Sequence, residues 1–225
     1  MFFGLTNFLA TFQVMINELL RNLINTGKIA AFINNVIVGT ETEEGHDELV
    51  MEVIRKLEEN DLYVKLEKCK WKVRKIEFLG VVIGLEGIKM EEEKIKEVLE
   101  WLIPKCVKDV QKFLELANYY CQFIEGFVSI ARLLYDMVKK NKKWYWIEKQ
   151  EKVFRELNEQ FTKKLVLAAP DLDKKLRVEV DASDYAIGDV LSIEVENGRW
   201  KLVTFLSKSL NETKRNYEIH DKEIK

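Results

Sequence analysis

The chain has 225 residues, enough for one large or two small domains with a real core. Its composition, 47% hydrophobic and 33% charged with only 10 Gly and 2 Pro, excludes a disordered or collagen-like chain. The 36 basic residues nearly balance 38 acidic ones for a net charge of -2, so any nucleic-acid contact must use local patches rather than a global positive field.

Phe8, Phe12, Met15, Ile16, Leu19 and Leu23 recur at helical spacing, with Asn7 placed to cap the start and Gly27 just past the end. Two apolar runs follow, Ile29 to Ile33 and Val36 to Val38, separated by Asn34 and Asn35. That pattern predicts a tight hairpin with the asparagines at its tip. Leu49, Val50, Val53, Ile54 and Leu57 predict a second amphipathic helix over roughly residues 43 to 59.

From Leu62 the period changes to two. In "KCKWKVRK" it would put Lys68, Lys70, Lys72 and Arg74 on one side of a strand and Cys69, Trp71 and Val73 on the other. Such a cationic ladder is either a solvated edge that discourages aggregation or a phosphate-contacting face. "IEFLGVVIGLEGIKM" predicts a strand, a Gly-centred turn and a short return strand.

Glu91, Glu92 and Glu93 open a helix with Ile95, Val98, Leu99 and Leu102 on one face, stopped by Pro104. Helices over roughly 106 to 123 and 127 to 139 come next, the second apolar almost all round and so predicted to be buried between neighbours. "KKNKKW" is a basic linker before a helix carrying Val153, Phe154, Leu157 and Phe161. A domain boundary is expected between about 140 and 172. Beyond it Leu176, Val178 and Val180 alternate with Arg177, Glu179 and Asp181, the signature of a half-buried strand. Two more strands are joined at Asn197-Gly198, a two-residue hairpin signal, and a final helix begins near Asn211.

Cys69, Cys106 and Cys121 are odd in number and widely spaced, and only His46 and His220 could join them. Buried reduced thiols are expected rather than a zinc site or a disulfide framework. No apolar run reaches the roughly 18 residues needed to span a bilayer, and the N-terminus lacks the basic start and cleavage site of a signal peptide. A soluble intracellular chain, cytoplasmic or nuclear, is the expectation.

Two places could carry chemistry: the Asn34-Asn35 tip, and Asp181 at a strand end with Glu223 in the terminal helix. From spacing alone, Asp181 and Glu223 read equally as solvated charges. Six stretches sharpen the reading: "FFGLTNFLATFQ", "FINN", "KCKWKVRKIEFLGVVIGLEGI", "EWLIPKCVKDVQKFLELANYYCQFI", "VEVDASDYAIGDVLS" and "NYEIHDKE". In this order they resemble the polymerase of gypsy-type LTR retrotransposons and retroviruses. The resemblance covers essentially the whole chain.

The resemblance implies an α+β fold: the distal part of a reverse transcriptase palm (helix, hairpin, helix, strands) over 1–90, thumb and connection helices over 91–143, and a tether helix and linker over 144–171. The first part of an RNase H-like domain, a partial three-stranded antiparallel sheet, would occupy 172–225. It implies a Pol segment truncated at both ends, with one palm aspartate upstream of Met1 and two RNase H carboxylates beyond Lys225. In that family the hairpin tip carries Tyr or Phe, any residue, then two aspartates that help hold Mg²⁺ ions at the primer 3′-hydroxyl. Here Phe32 and Ile33 match, while Asn34 and Asn35 replace both aspartates. Hard cations need anionic oxygens, so the hairpin should survive and the polymerase activity should not. By the same resemblance Phe3 and Gly4 lie beside the nucleotide pocket, Leu79 and Gly80 near the primer end, and Asp181 and Glu223 are RNase H metal ligands. The implied partners are an RNA/DNA hybrid or DNA. The alternatives are a non-catalytic nucleic-acid binder using Lys68, Lys70, Lys72 and Arg74, and a dimer subunit or scaffold pairing with a second copy or another Pol segment.

Several departures from the family pattern share a direction. Leu9, Leu102 and Leu133 stand where proline is usual, Glu115 and Asp189 where a small residue is, and Cys121-Gln122 where an Arg pair is. Each, like Asp to Asn at 34 and 35, is reachable by one C-to-T change on one DNA strand or the other. Phe8 in place of alanine is not. The pattern implies a decayed element copy mutated by cytosine deamination. On this reading Asp189 buries a carboxylate on the face of Ile187, Leu191 and Ile193, and Glu115 is either a close-packing fault or a solvated charge.

Overall fold

The computed structural model describes residues 7–140, 142–215 and 217. The chain divides into two compact units, one ending at Phe78 and the other beginning at Leu79.

In the first unit, α1 (Phe8–Leu19) and α2 (Arg21–Ile24) form the helix expected over Phe8 to Leu23, interrupted at the fully buried Leu20. β1 (Ile29–Phe32) and β2 (Asn35–Val38) pair antiparallel from Ile29↔Val38 to Phe32↔Asn35. α3 (Glu43–Glu58) starts at Thr42, whose hydroxyl accepts the Gly45 N–H at 3.2 Å; acidic residues fill its first turn and Arg55 and Lys56 its last. Ile16, Leu20, Leu23, Ile29, Val53 and Leu57 bury together, so α1, α2, α3 and the hairpin share one small core.

The strand expected over Lys68 to Arg74 does not form. Leu66–Lys68 is a 3-10 turn, the following residues are irregular, and only β3 (Lys75–Phe78) is extended. Trp71 is 47% exposed and Val73 equally so, which removes the buried face that the alternation implied. Lys72 turns left-handed, at φ 49°, where a regular strand cannot continue.

In the second unit, β4 (Val81–Gly84) pairs with β5 (Gly87–Met90). "IEFLGVVIGLEGIKM" thus holds three short strands rather than two, because Leu79-Gly80 makes an extra turn. α4 (Glu92–Leu99) ends short of Leu102, which is 80% exposed. α5 (Val107–Tyr119), α6 (Phe127–Met137) and α7 (Glu148–Thr162) enclose the main core around Phe113, Tyr120, Phe127, Leu134 and Leu157. Each such side chain contributes roughly 1.5–3 kcal/mol by leaving water. Within α6 only Ser129 is exposed, as its nearly continuous apolar character requires.

After α7 the chain stitches that core to the last sheet. Ile88 and Leu167 exchange backbone hydrogen bonds at 2.7 and 2.8 Å, and Ala168 N–H donates to the Leu202 carbonyl at 2.6 Å. β6 (Leu176–Ala182), β7 (Ala186–Val195) and β8 (Arg199–Ser209) form a three-stranded antiparallel sheet, followed by α8 (Glu212–Arg215). The β7–β8 link is the three-residue loop Glu196–Gly198, with Gly198 left-handed, rather than the expected two-residue turn. Opposite β7, the β6 apolar residues are not half-buried: Val178 is 61% exposed, and Leu176 and Val180 are exposed as well.

Two smaller expectations also change, and one open alternative closes. None of the cysteines is buried: Cys106 is exposed and Cys69 and Cys121 are half-buried, all three free. Asp189 is half-buried between Val180 and Leu206, both exposed, so its face is open rather than closed over a carboxylate. Glu115 is a solvated helix charge.

Candidate functional site

The hairpin tip is one residue away from where the sequence pattern put it. Phe32 and Asn35 are the last ladder pair, so Ile33 and Asn34 form the loop and Asn35 opens β2. Ile33 takes the positive φ, 52°, that such a turn demands. For a β-branched residue the left-handed backbone costs about 1–2 kcal/mol, so it persists only where its surroundings hold it.

Gln13 of α1 does so. Its Oε1 accepts the Ile33 N–H at 2.6 Å, while its Nε2 donates to the Ala31 carbonyl at 3.1 Å and to Asn17 Oδ1 at 2.8 Å. One amide thus staples the helix to the end of β1 and to the first loop residue. Its sequence signal was faint: a polar residue beside Phe12, off the apolar stripe of helix one.

Asn34 and Asn35 are exposed, as is Phe32. Their amide oxygens can accept hydrogen bonds but carry no charge, and a hard divalent cation is held by anionic oxygen. The tip therefore does not fit a catalytic metal. Among the described residues, no group of three or more His, Cys, Asp or Glu side chains is placed to hold one.

The four cations expected to form a ladder lie in the same unit as the hairpin but do not share a strand face. Lys70 pairs with Glu77 at 3.1 Å and Lys72 with Asp47 at 2.7 Å. The Asp47 carboxylate, through its hydrogen bond and its charge, raises the Lys72 pKa further above its ordinary value. Lys68 and Arg74 make no ion pair among the described residues and are exposed.

In the second unit Leu79 and Gly80 form a turn with both backbones left-handed, at φ 50° and 74°. Tyr119 donates its hydroxyl to the Leu79 carbonyl, and Tyr120 to the Gly80 carbonyl at 3.0 Å. Burial pushes the Tyr120 phenol up to about 12, so it remains a donor at neutral pH.

Asp181 is exposed on β6 opposite Gly188, where a Cβ would lie 3.9 Å from the Asp181 carbonyl oxygen. Arg177 and Glu179, on the same side of the strand, pair at 3.2 Å. Phe3, Gly4 and Glu223 lie outside the described residues.

A protein-family model described as "Reverse transcriptase (RNA-dependent DNA polymerase)" matches residues 1–83. A second, described as "RNase H-like domain found in reverse transcriptase", matches residues 146–225. The chain is 29% identical over 222 residues to the transposon Tf2-7 and Tf2-8 polyproteins of Schizosaccharomyces pombe, covering 99% of this chain and 17% of each relative. It therefore spans about one sixth of the length of the curated relatives it matches. Among solved structures, the foamy viral protease-reverse transcriptase in complex with RNA/DNA hybrid aligns with a TM-score of 0.82 at 21% identity, over 100% of this chain and 30% of that one. The same foamy viral protein in complex with dsDNA aligns with a TM-score of 0.80 at 21% identity, over 99% of this chain and 46% of that one. Likeness at that identity shows a shared fold.

Proposed function

The chain belongs to the reverse transcriptase and RNase H-like region of LTR-retrotransposon Pol proteins, and we propose that it holds a nucleic-acid duplex without extending it. The observation that carries this reading is the neutral tip, Ile33-Asn34-Asn35, in a fold whose chemistry uses divalent metal. When bound, Mg²⁺ in this family aligns the primer 3′-hydroxyl with the incoming nucleotide. Without carboxylates at the tip, several kcal/mol of transition-state stabilisation are at stake.

Residues 1–90 act as the distal palm, 91–143 as thumb and connection, 144–171 as tether and 172–225 as the RNase H-like part. Phe3, Gly4 and Phe32 belong to the nucleotide pocket, Leu79 and Gly80 to the primer end, and Asp181 with Glu223 to a second, RNase H-like metal site. An RNA/DNA hybrid or DNA is the ligand, and an intracellular setting, cytoplasm or nucleus, follows from it. The solved neighbours, in complex with an RNA/DNA hybrid and with dsDNA, support this ligand.

Hybrid binding and primer extension, measured on the same preparation, test it. The expected result is binding that weakens steeply with salt, and no extension with Mg²⁺ or Mn²⁺. Because Lys70 and Lys72 are already paired, reversing Lys68 and Arg74 to Glu should lower the slope of log affinity against log salt by about 2. Binding that ignores salt, or measurable extension, would overturn the proposal.

A further inference from the structure

The Leu79-Gly80 turn raises a physical question that its sequence does not answer. A left-handed backbone is ordinary for Gly80, whereas at Leu79 it costs about 1–2 kcal/mol. Two consecutive side chains at the end of α5 supply the restraint, since the Tyr119 and Tyr120 hydroxyls bond two consecutive carbonyls of the turn. Their rings meet edge to face, 4.9 Å apart and at 85°, which lets neighbouring residues reach neighbouring carbonyls.

The two phenols are anchored differently. Tyr120 is 1% exposed and packs in the main core with Phe123 and Phe127, while Tyr119 is 54% exposed. The Tyr120 hydroxyl also fills the space above Gly80, where a Cβ atom would lie 2.5 Å from it. Glycine is thus required at 80 twice over, by its φ and by the phenol. The turn cannot shift without either breaking both hydrogen bonds or moving the end of α5 with it.

We propose that Tyr119 and Tyr120 are positioning residues that fix the Leu79-Gly80 turn for the primer end of a bound duplex, so that any displacement of the α5 terminus displaces the turn. This rests on the assignment of Leu79 and Gly80 to the primer end made above. The ligand feature read by the clamped turn is a recessed 3′ end on an RNA/DNA hybrid, as distinct from the duplex backbone, which the basic residues would hold.

The test compares, by fluorescence anisotropy, the affinity of the full chain for a hybrid with a recessed primer 3′ end and for the same hybrid with blunt ends. Hydrogen exchange over residues 78–84 is followed in parallel. The unaltered chain is expected to favour the recessed end. Tyr119→Phe, at an exposed ring, should lower the melting temperature by only about 2–4 °C and cut that preference about fivefold, the equivalent of one ordinary hydrogen bond. Tyr119→Phe with Tyr120→Phe should abolish the preference and speed exchange in the turn, with blunt-end affinity held within about twofold by the backbone contacts. If the variants keep the preference although exchange rises, the tyrosines are structural only and the inference is overturned. If the unaltered chain shows no preference, the primer-end assignment itself fails and takes the inference with it.

Discussion

Ile33 sits where a β-branched residue is costly, and Gln13 holds it there through hydrogen bonds to Ile33 itself and to Ala31 of β1, its amide being oriented by a third to Asn17 of the helix. Gln13→Leu removes the acceptor of the Ile33 N–H while keeping the side-chain bulk. It should destabilise the chain by about 1–2 kcal/mol, read as a lower urea midpoint at unchanged slope. Asn34→Asp should change stability far less, because position 34 is an exposed loop site where both residues tolerate turn backbones. At this scale the turn was legible in the asparagines and its register was not. Loop length is set by which residues close the ladder, and Phe32 pairing with Asn35 pushes the left-handed position onto isoleucine.

Among the elements, the helices were legible because each has a single apolar stripe that meets a partner, as in α3, α5 and α7. The segment from Lys68 to Arg74 misled because its alternation has no neighbouring strand to satisfy. Its lysines turn instead to Asp47 and Glu77, in exposed pairs worth at most about 1 kcal/mol each. β6 misled in the opposite sense: it is a strand, yet its apolar side stays open. The end of α5 carries a further prediction. Tyr120 has its phenol pKa raised in the fold, so the neutral form is the one the folded state favours. Its contribution is complete below the unfolded value of about 10 and is lost as pH climbs through the folded value of about 12. Urea midpoints should therefore fall between pH 10 and 12, and the fall should be shallower in Tyr120→Phe. An equal fall in both would show that this phenol is not the group responsible.

Over the whole molecule, most departures from the family pattern sit where the fold can absorb them. Leu9, Leu102 and Glu115 are exposed, and Cys121, Gln122, Leu133 and Asp189 are half-buried rather than in the core. Residues at such sites leave both cores intact, and Asn34 and Asn35 lie on an exposed tip where a change of charge carries little structural cost. The division into two compact units falls between Phe78 and Leu79, at the start of the tight Leu79-Gly80 turn. A complete reverse transcriptase carrying residues 7–90 of this chain in place of its own palm segment isolates the tip from everything else, and the measurement is primer extension on an RNA template with Mg²⁺. With Asn34 and Asn35 in place no extension is expected, and Asn34→Asp with Asn35→Asp should restore it. Extension by the asparagine form, or none from the doubly substituted form, would contradict the proposal that the neutral tip at these two residues prevents extension.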